Sequence, residues 1–523
     1  MPNGSAHVMA EVSNADKTIK LSRLKYWLLL AANLTAGAIT PLSLAPYDFW
    51  PAAILGLMIF FASLAFFPRR YFWQALMFGL GLFGTGASWV YVSIHDFGQT
   101  SPPLAMVLTG IFVVGLAIVF ALPYTLFKYF SHRHCLLTLL ASAPTFWLLG
   151  EWLRGWLLTG FPWLYVGYGH LTTPLAGYAP IGGVLLVSLA VALSCSGLIV
   201  ALYHVQKQRW TGAATAMAGV ALIWLAGGLL KTQTWTQTSG EPIQVGLVQP
   251  NIAQEDKWVR TKRIPTLRLF QTMSDDLWPK ADWVVWPEAA LPMLYEDAIP
   301  FINNMHRTAT TNNAALITGV LYRSTETNKI YNTIIARGLG QGIYHKTRLV
   351  PFGEYVPLES WLRGTLAFFD LPTSIIAKGQ PEQRGLQVGE HLISANICYE
   401  VVYPSLIAQS AHDSHVLLTI SNDAWFGDSI GPLQHMQMAQ MRALETGRDL
   451  IRGTNNGISA LVNHRGTITA QLPQFTQDTL VAPIQPRTGA TPFMQWQHRP
   501  IEFLLALALI LLAVAPKIIK RRQ

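Results

Sequence analysis

Three short motifs place reactive side chains just past predicted strands. Trp286-Pro287-Glu288 follows the apolar run Trp283-Val284-Val285. Tyr344-His345-Lys346 precedes a turn over 349–357 that its Pro and Gly residues make rigid. Asn396-Ile397-Cys398-Tyr399-Glu400 ends an apolar run over 392–397. A thiolate is the reactive form of cysteine, and a free thiol is mostly protonated near neutral pH. A carboxylate at Glu288 can take that proton and later return it to a leaving group. An ammonium at Lys346 favours the thiolate and stabilises a tetrahedral oxyanion, with the backbone N–H of Tyr399 as a second donor. Taken singly, Glu288 also reads as a helix cap or surface charge and Cys398 as plain core. Together the three describe nucleophilic chemistry through Cys398.

The remaining reactive residue types are less informative. Cys135 and Cys195 lie at the edge of and within apolar stretches and read as small buried hydrophobes. Three cysteines make neither a disulfide framework nor a zinc site. His412 and His415 have no further Cys or His at a ligand spacing, so they read as surface residues and no metal is expected. Without a Gly-rich phosphate loop or a dinucleotide fingerprint, no cofactor is implied.

Short β-rich runs carry these motifs: 243–248, 283–286, 315–320, 333–336, 392–397, 416–420 and 458–462, with helical stretches at 256–278, 298–312 and 432–449. That alternation predicts an α/β extramembrane domain over 243–490. A Thr-, Gln- and Ser-rich linker over 231–242 precedes it.

The rest of the chain is far more apolar. Of 523 residues, 51% are hydrophobic and only 12% charged, against about 25% charge in soluble proteins. The deficit falls in 26–230 and 501–516. Spanning helices need about 20 apolar residues, and eight candidates follow: 26–44, 51–67, 72–93, 104–127, 135–156, 177–203, 211–230 and 501–516. The prediction is therefore a cytoplasmic segment 1–25, a seven-span polytopic α-helical membrane domain 26–230, a C-terminal span 501–516 and a cytoplasmic tail 517–523. Lys17, Lys20, Arg23 and Lys25 precede the first span, Arg69 and Arg70 follow the second, and Lys517, Lys520, Arg521 and Arg522 follow the last; 94–103 has no Lys or Arg. The positive-inside rule then puts both termini in the cytoplasm and the α/β domain on the opposite face, periplasmic in a bacterial inner membrane. The net charge of +9 is accounted for by these flanks, so nucleic acid is not expected as a partner. Tyr47, Phe49 and Trp50, then Phe161, Trp163, Tyr165 and Tyr168, read as an interfacial aromatic belt. Glu151 and Arg154 share one helix face, and either pair structurally or meet a lipid headgroup.

The order Glu288, Lys346, Cys398, with these local motifs, resembles the nitrilase (carbon–nitrogen hydrolase) superfamily, which implies an αββα sandwich. The spans, together with Gln249-Pro250-Asn251-Ile252, Glu151-Trp152-Leu153-Arg154-Gly155, the segment 351–357 and Ser421-Asn422-Asp423-Ala424-Trp425-Phe426-Gly427, resemble its membrane-embedded branch, the apolipoprotein N-acyltransferase family, over nearly the whole chain. The resemblance implies transfer of a fatty acyl chain from a phospholipid, through a Cys398 thioester, to the α-amine of a lipoprotein's N-terminal diacylglyceryl-cysteine, the last step of lipoprotein maturation. Glu288 is then base and acid and Lys346 the oxyanion stabiliser. Glu354 and Glu400 match positions that orient Lys346 or the substrate amine. Trp258 and Asn251 match positions near the site mouth, or else serve packing and turn capping. The implied partners are a phospholipid donor, a lipoprotein acceptor and the bilayer, with the enzyme a monomer.

Residues 358–376 bring Trp361, Leu362, Leu366, Phe368 and Phe369 into a loop beside the candidate site. Exposing each such side chain forgoes about 1.5–3 kcal/mol. The expectation is a lid that dips into the bilayer and admits acyl chains, the alternative a loop packed on the protein. The competing function is a membrane-anchored nitrilase-type amidase that hydrolyses small C–N bonds; seven preceding spans exceed what an anchor requires.

Overall fold

The computed structural model describes residues 23–131, 135–355 and 376–521. Helices fill every stretch read as a span, but they are not equal. Pro102–Phe130, Cys135–Arg154, Pro174–Gln206 and Trp210–Thr232 are long and apolar enough to cross a bilayer. Tyr71–Gly86 and Val90–Phe97 add a fifth if the pair, bent by 61°, counts as one. Eight spans are therefore not reached among the described residues. Arg23–Ile39 and Pro51–Phe66 have 17 and 16 residues, short of the usual length, and Arg499–Arg521 carries Arg499, Glu502, Lys517, Lys520 and Arg521. The helices pack closely where side chains are smallest: a Cβ at Gly37 would strike the carbonyl of Phe78 in the neighbouring helix.

Glu151 and Arg154 are both fully buried. Glu151 accepts from the Val166 N–H at 3.0 Å, and Arg154 Nη2 donates to the Trp163 carbonyl at 3.1 Å. Each thus ties this helix to the segment 163–166, Glu151 through Val166 and Arg154 through Trp163. The interfacial belt needs correction at the same place. Trp163, Tyr165 and Tyr168 are buried, because this segment packs against the α/β domain, Trp163 donating to Gln434 and Tyr168 accepting from Arg442.

Two seven-stranded sheets build the α/β domain. The first runs Asp478–Ile484, Ile243–Gln249, Trp283–Val285, Ala315–Arg323, Ile330–Gly338, Ile343–His345, with Leu291–Leu294 paired to Ala315–Arg323. The second runs Ile468–Gln471, Ala460–Val462, Leu450–Thr454, Val416–Ser421, His391–Ile397, Leu386–Val388, Gly340–Gln341. Each has a parallel centre: Ile243–Gln249, Trp283–Val285 and Ala315–Arg323 in one, and His391–Ile397, Val416–Ser421 and Leu450–Thr454 in the other. Such centres are buried on both faces, which explains why these strands read as continuous apolar runs.

The sheets face each other across Val245, Leu247, Val285, Ile317, Ile393, Ile397, Leu418 and Ile451. Helices Arg263–Asp275 and Tyr295–Thr311 cover the first sheet through Leu267, Phe270, Ile302 and Met305. Helices Pro404–Ala411 and Gly431–Thr446 cover the second, completing four αββα layers. Their apolar cluster, with Ile407, Met438 and Met441, continues without a break into Tyr168, Val187 and Trp147 of the helical region. Removing that shared surface from water holds the two parts together. The predicted linker is pinned too: Gln237–Thr238 pairs with Arg487–Thr488.

Candidate active site

All three reactive motifs lie at strand ends on one edge of the sandwich. Glu288 follows Trp283–Val285, Cys398 follows His391–Ile397, and Lys346 follows Ile343–His345. In open α/β sheets ligands bind outside the carboxyl ends of the parallel strands. The parallel centres bring Glu288 and Cys398 to that edge, from opposite sheets.

Glu288 and Lys346 are buried, with Lys346 Nζ 3.6 Å from Glu288 Oε1 and 2.9 Å from Glu354 Oε1. Burial alone lowers a lysine's proton affinity, but Glu354 and Glu288 outweigh it, and Lys346 is held above its ordinary range. It is a fixed cation. The Glu288 carboxylate is oriented at both oxygens: Asn332 Nδ2 donates to Oε1 at 2.6 Å and the Asn422 N–H to Oε2 at 2.8 Å. Glu354 Oε2 accepts the Val350 N–H at 2.8 Å, tying the turn after Lys346 to the ammonium.

Cys398 is partly buried and stands at φ +51°. A non-glycine residue in the left-handed region costs free energy and marks a site where position outranks comfort. Its thiol is pushed up to about 12, by burial first and then by the charge of Glu288, against the opposing pull of Lys346. Near neutral pH the sulfur therefore keeps its proton, and Glu288 is the carboxylate whose charge weighs most on it.

Glu400 is fully buried and bonded at both oxygens. Oε1 accepts from Tyr344 Oη at 2.9 Å and from the Thr347 N–H and Oγ1 at 2.7 Å each, and Oε2 accepts the Ile397 N–H at 2.8 Å. It couples the Lys346 loop to the strand that ends in Cys398. The Tyr399 hydroxyl donates to the Gly160 carbonyl at 3.2 Å, fastening the nucleophile's turn to the helical region. Asn251 donates from Nδ2 to the Phe475 carbonyl at 2.8 Å and so ties two loops distant in the chain. Trp258 is 40% exposed, outside the buried cluster. Trp361, Leu362, Leu366, Phe368 and Phe369 lie outside the described residues. His415, read as a surface residue, instead accepts the Leu392 N–H at 3.0 Å through Nδ1.

Sequence reasoning missed three members. Asn332, inside a strand, donates to both Glu288 and Glu354. Buried Lys257 donates to the Glu288 carbonyl at 2.9 Å, and burial lowers its pKa to about 8. Gly319 admits the Glu288 loop, since a Cβ there would come within 2.8 Å of Glu288 Cα. Nothing local sets Lys257 apart from the other cations of its stretch, Arg260, Lys262 and Arg263.

A carboxylate, an ammonium and a strained cysteine gathered at the edge of an αββα sandwich define an enzyme of the carbon–nitrogen hydrolase class. Residues 244–493 match the family model described as Carbon-nitrogen hydrolase, and residues 36–198 match the Apolipoprotein N-acyltransferase N-terminal domain. Apolipoprotein N-acyltransferase of Pseudomonas paraeruginosa is 46% identical over 91% of this chain and 94% of that protein. Those of Pseudomonas putida and Vibrio parahaemolyticus are 45% and 39% identical, over 93% and 91% of this chain and 97% and 95% of theirs. The chain belongs to the apolipoprotein N-acyltransferase family, acyltransferases built on the carbon–nitrogen hydrolase fold.

Proposed function

We propose that this enzyme moves a fatty acyl chain from the first position of a phospholipid to the N-terminal α-amine of a diacylglyceryl-modified lipoprotein. Glu288 removes the Cys398 proton as sulfur attacks the ester carbonyl carbon. The oxyanion is stabilised by Lys346 and the Tyr399 N–H. Collapse breaks the ester C–O bond, Glu288 returns the proton to the departing lysophospholipid oxygen, and a thioester remains. The lipoprotein amine, losing a proton to Glu288, then attacks the thioester. The C–S bond breaks, sulfur is reprotonated from Glu288, and an amide leaves.

The observation that carries this reading is the buried Glu288–Lys346 pair facing a cysteine whose turn is tied to the apolar helical region. That position suits a substrate that stays in the membrane. We place the α/β domain on the periplasmic face of a bacterial inner membrane, and assign the apolar residues between 361 and 369, outside the described residues, to contact with the acyl chains.

The test is a phospholipid labelled in its first acyl chain, incubated with the enzyme in vesicles. Label is expected on Cys398 as one acyl mass, then on the amine of an added diacylglyceryl lipopeptide, and on neither with Cys398→Ala. Label that leaves the enzyme only as free fatty acid with the lipopeptide present would assign a hydrolase instead.

A further inference from the structure

The motif 421–427 contributes one backbone N–H, that of Asn422, to the chemistry above. Behind it lies a fully buried cluster, Asp423, His435 and Arg452, that reaches the nucleophile through its backbone carbonyl. His435 Nε2 lies 3.2 Å from the Cys398 carbonyl oxygen. A carbonyl only accepts, so Nε2 carries the hydrogen. Burial and the neighbouring Arg452 lower the imidazole's proton affinity, which leaves the ring with that one proton and Nδ1 as an acceptor. Arg452 Nη2 sits 3.0 Å from Nδ1 and 2.8 Å from Asp423 Oδ2, with a hydrogen for each. Asp423 Oδ1, 3.2 Å from Nδ1, takes the Ser421 hydroxyl hydrogen at 2.6 Å. Asp423 and Arg452 cancel in charge. Trp163 stacks on the imidazole at 5.7 Å and Phe426 meets it edge-on at 5.9 Å, so the ring is held in place.

We propose that His435 is a positioning residue for the nucleophile: fixed as its Nε2–H form by Arg452, it donates to the Cys398 carbonyl and holds Cys398 in the left-handed backbone conformation that presents the thiol to Glu288 and Lys346. Without that donor the backbone at Cys398 has a lower-energy region to relax into, and sulfur leaves the line between base and ammonium. Through Trp163, which also donates from Nε1 to Gln434 Oε1 at 2.7 Å, the same ring connects the nucleophile to the helical region.

The inference rests on Cys398 as nucleophile and is tested by two polar substitutions of the full-length enzyme. His435→Gln puts an amide N–H close to where Nε2 stands; His435→Asn is one methylene shorter and falls short. Iodoacetamide alkylation, mapped to Cys398 by mass, reads the thiol without any lipid; labelled phosphatidylethanolamine in vesicles reads acyl-enzyme formation. His435→Asn is expected to slow both by about tenfold or more, in kcat rather than KM, while His435→Gln stays within about threefold of the parent. Equal behaviour of the two variants, or Asn alkylating at the parental rate, overturns the proposal. A loss confined to acyl transfer, with alkylation unchanged in both, overturns it too, whereas absence of acyl label on Cys398 in the parent enzyme counts against the lipid reading alone.

Discussion

At the scale of single residues, the question is how a thiol that keeps its proton becomes a nucleophile. Cys398 is raised to about 12 by burial and by Glu288, so the thiolate fraction is small and grows with pH. Alkylation of Cys398 by iodoacetamide should therefore rise about tenfold per pH unit between about pH 7 and about pH 9. Glu288→Gln gives a sharper test, because the carboxylate both raises the thiol's proton affinity and takes its proton. Neutralising it lowers the thiol pKa, so alkylation quickens while acyl transfer falls by several orders of magnitude. Slower alkylation in this variant would mean that Glu288 acts as base toward small electrophiles as well. Lys346, raised by Glu354 and Glu288 against burial, stays charged across that whole range and adds no limb of its own to the profile.

At the scale of elements, the site depends on close approach between strands and loops. Gly319 lies in Ala315–Arg323, and a Cβ there would meet the Ala289 N–H and the Pro287 carbonyl as well as Glu288. Gly319→Ala is expected to displace Glu288 and cut kcat by about a hundredfold, since small misplacements are costly in catalysis. Binding of phospholipid should change little, and equal losses in KM and kcat would point to a wider collapse of the first sheet. For the segment carrying Phe368 and Phe369, we expect Ala at both positions to reduce turnover of long-chain phospholipids more than that of short water-soluble esters. Equal losses on the two donors would remove that contact from the account. Residues such as Asn332 and Gly319 were not legible as site members, because a strand hides which of its polar or small residues meets a neighbouring loop. The strands Leu450–Thr454 and Asp478–Ile484 escaped notice because Arg452 interrupts one and Pro483 the other. Arg452 is fully buried, which its charge does not announce.

At the scale of the whole molecule, one apolar cluster runs from the helices behind the second sheet into the helical region. The α/β domain is thus docked, with Tyr399 and Tyr403 bonded to the 159–160 turn. The orientation proposed for this assembly is testable. Single cysteines at exposed Asp413 and Glu326, in a Cys135→Ser background that keeps Cys398 intact, should react with a membrane-impermeant maleimide in intact cells. A cysteine at exposed Lys207, between two apolar helices, should react only after lysis. The reverse pattern would place the chemistry on the cytoplasmic face.

The division between what sequence and structure each settle follows from the range of the forces involved. Local signals named the class of chemistry: a carboxylate, an ammonium and a thiol, each closing a predicted strand, and long apolar stretches whose flanking charges suggest an orientation. Those features arise from backbone periodicity and side-chain transfer energy, and are written in neighbouring residues. Tertiary structure decided what long-range packing alone can produce. It set Glu288 between Asn332 and Asn422, put Glu400 under the Lys346 loop, and buried Trp163 against His435. It also shortened or bent helices that composition alone counted as spans. Each of those outcomes joins residues far apart in the chain, where no local pattern records the partner.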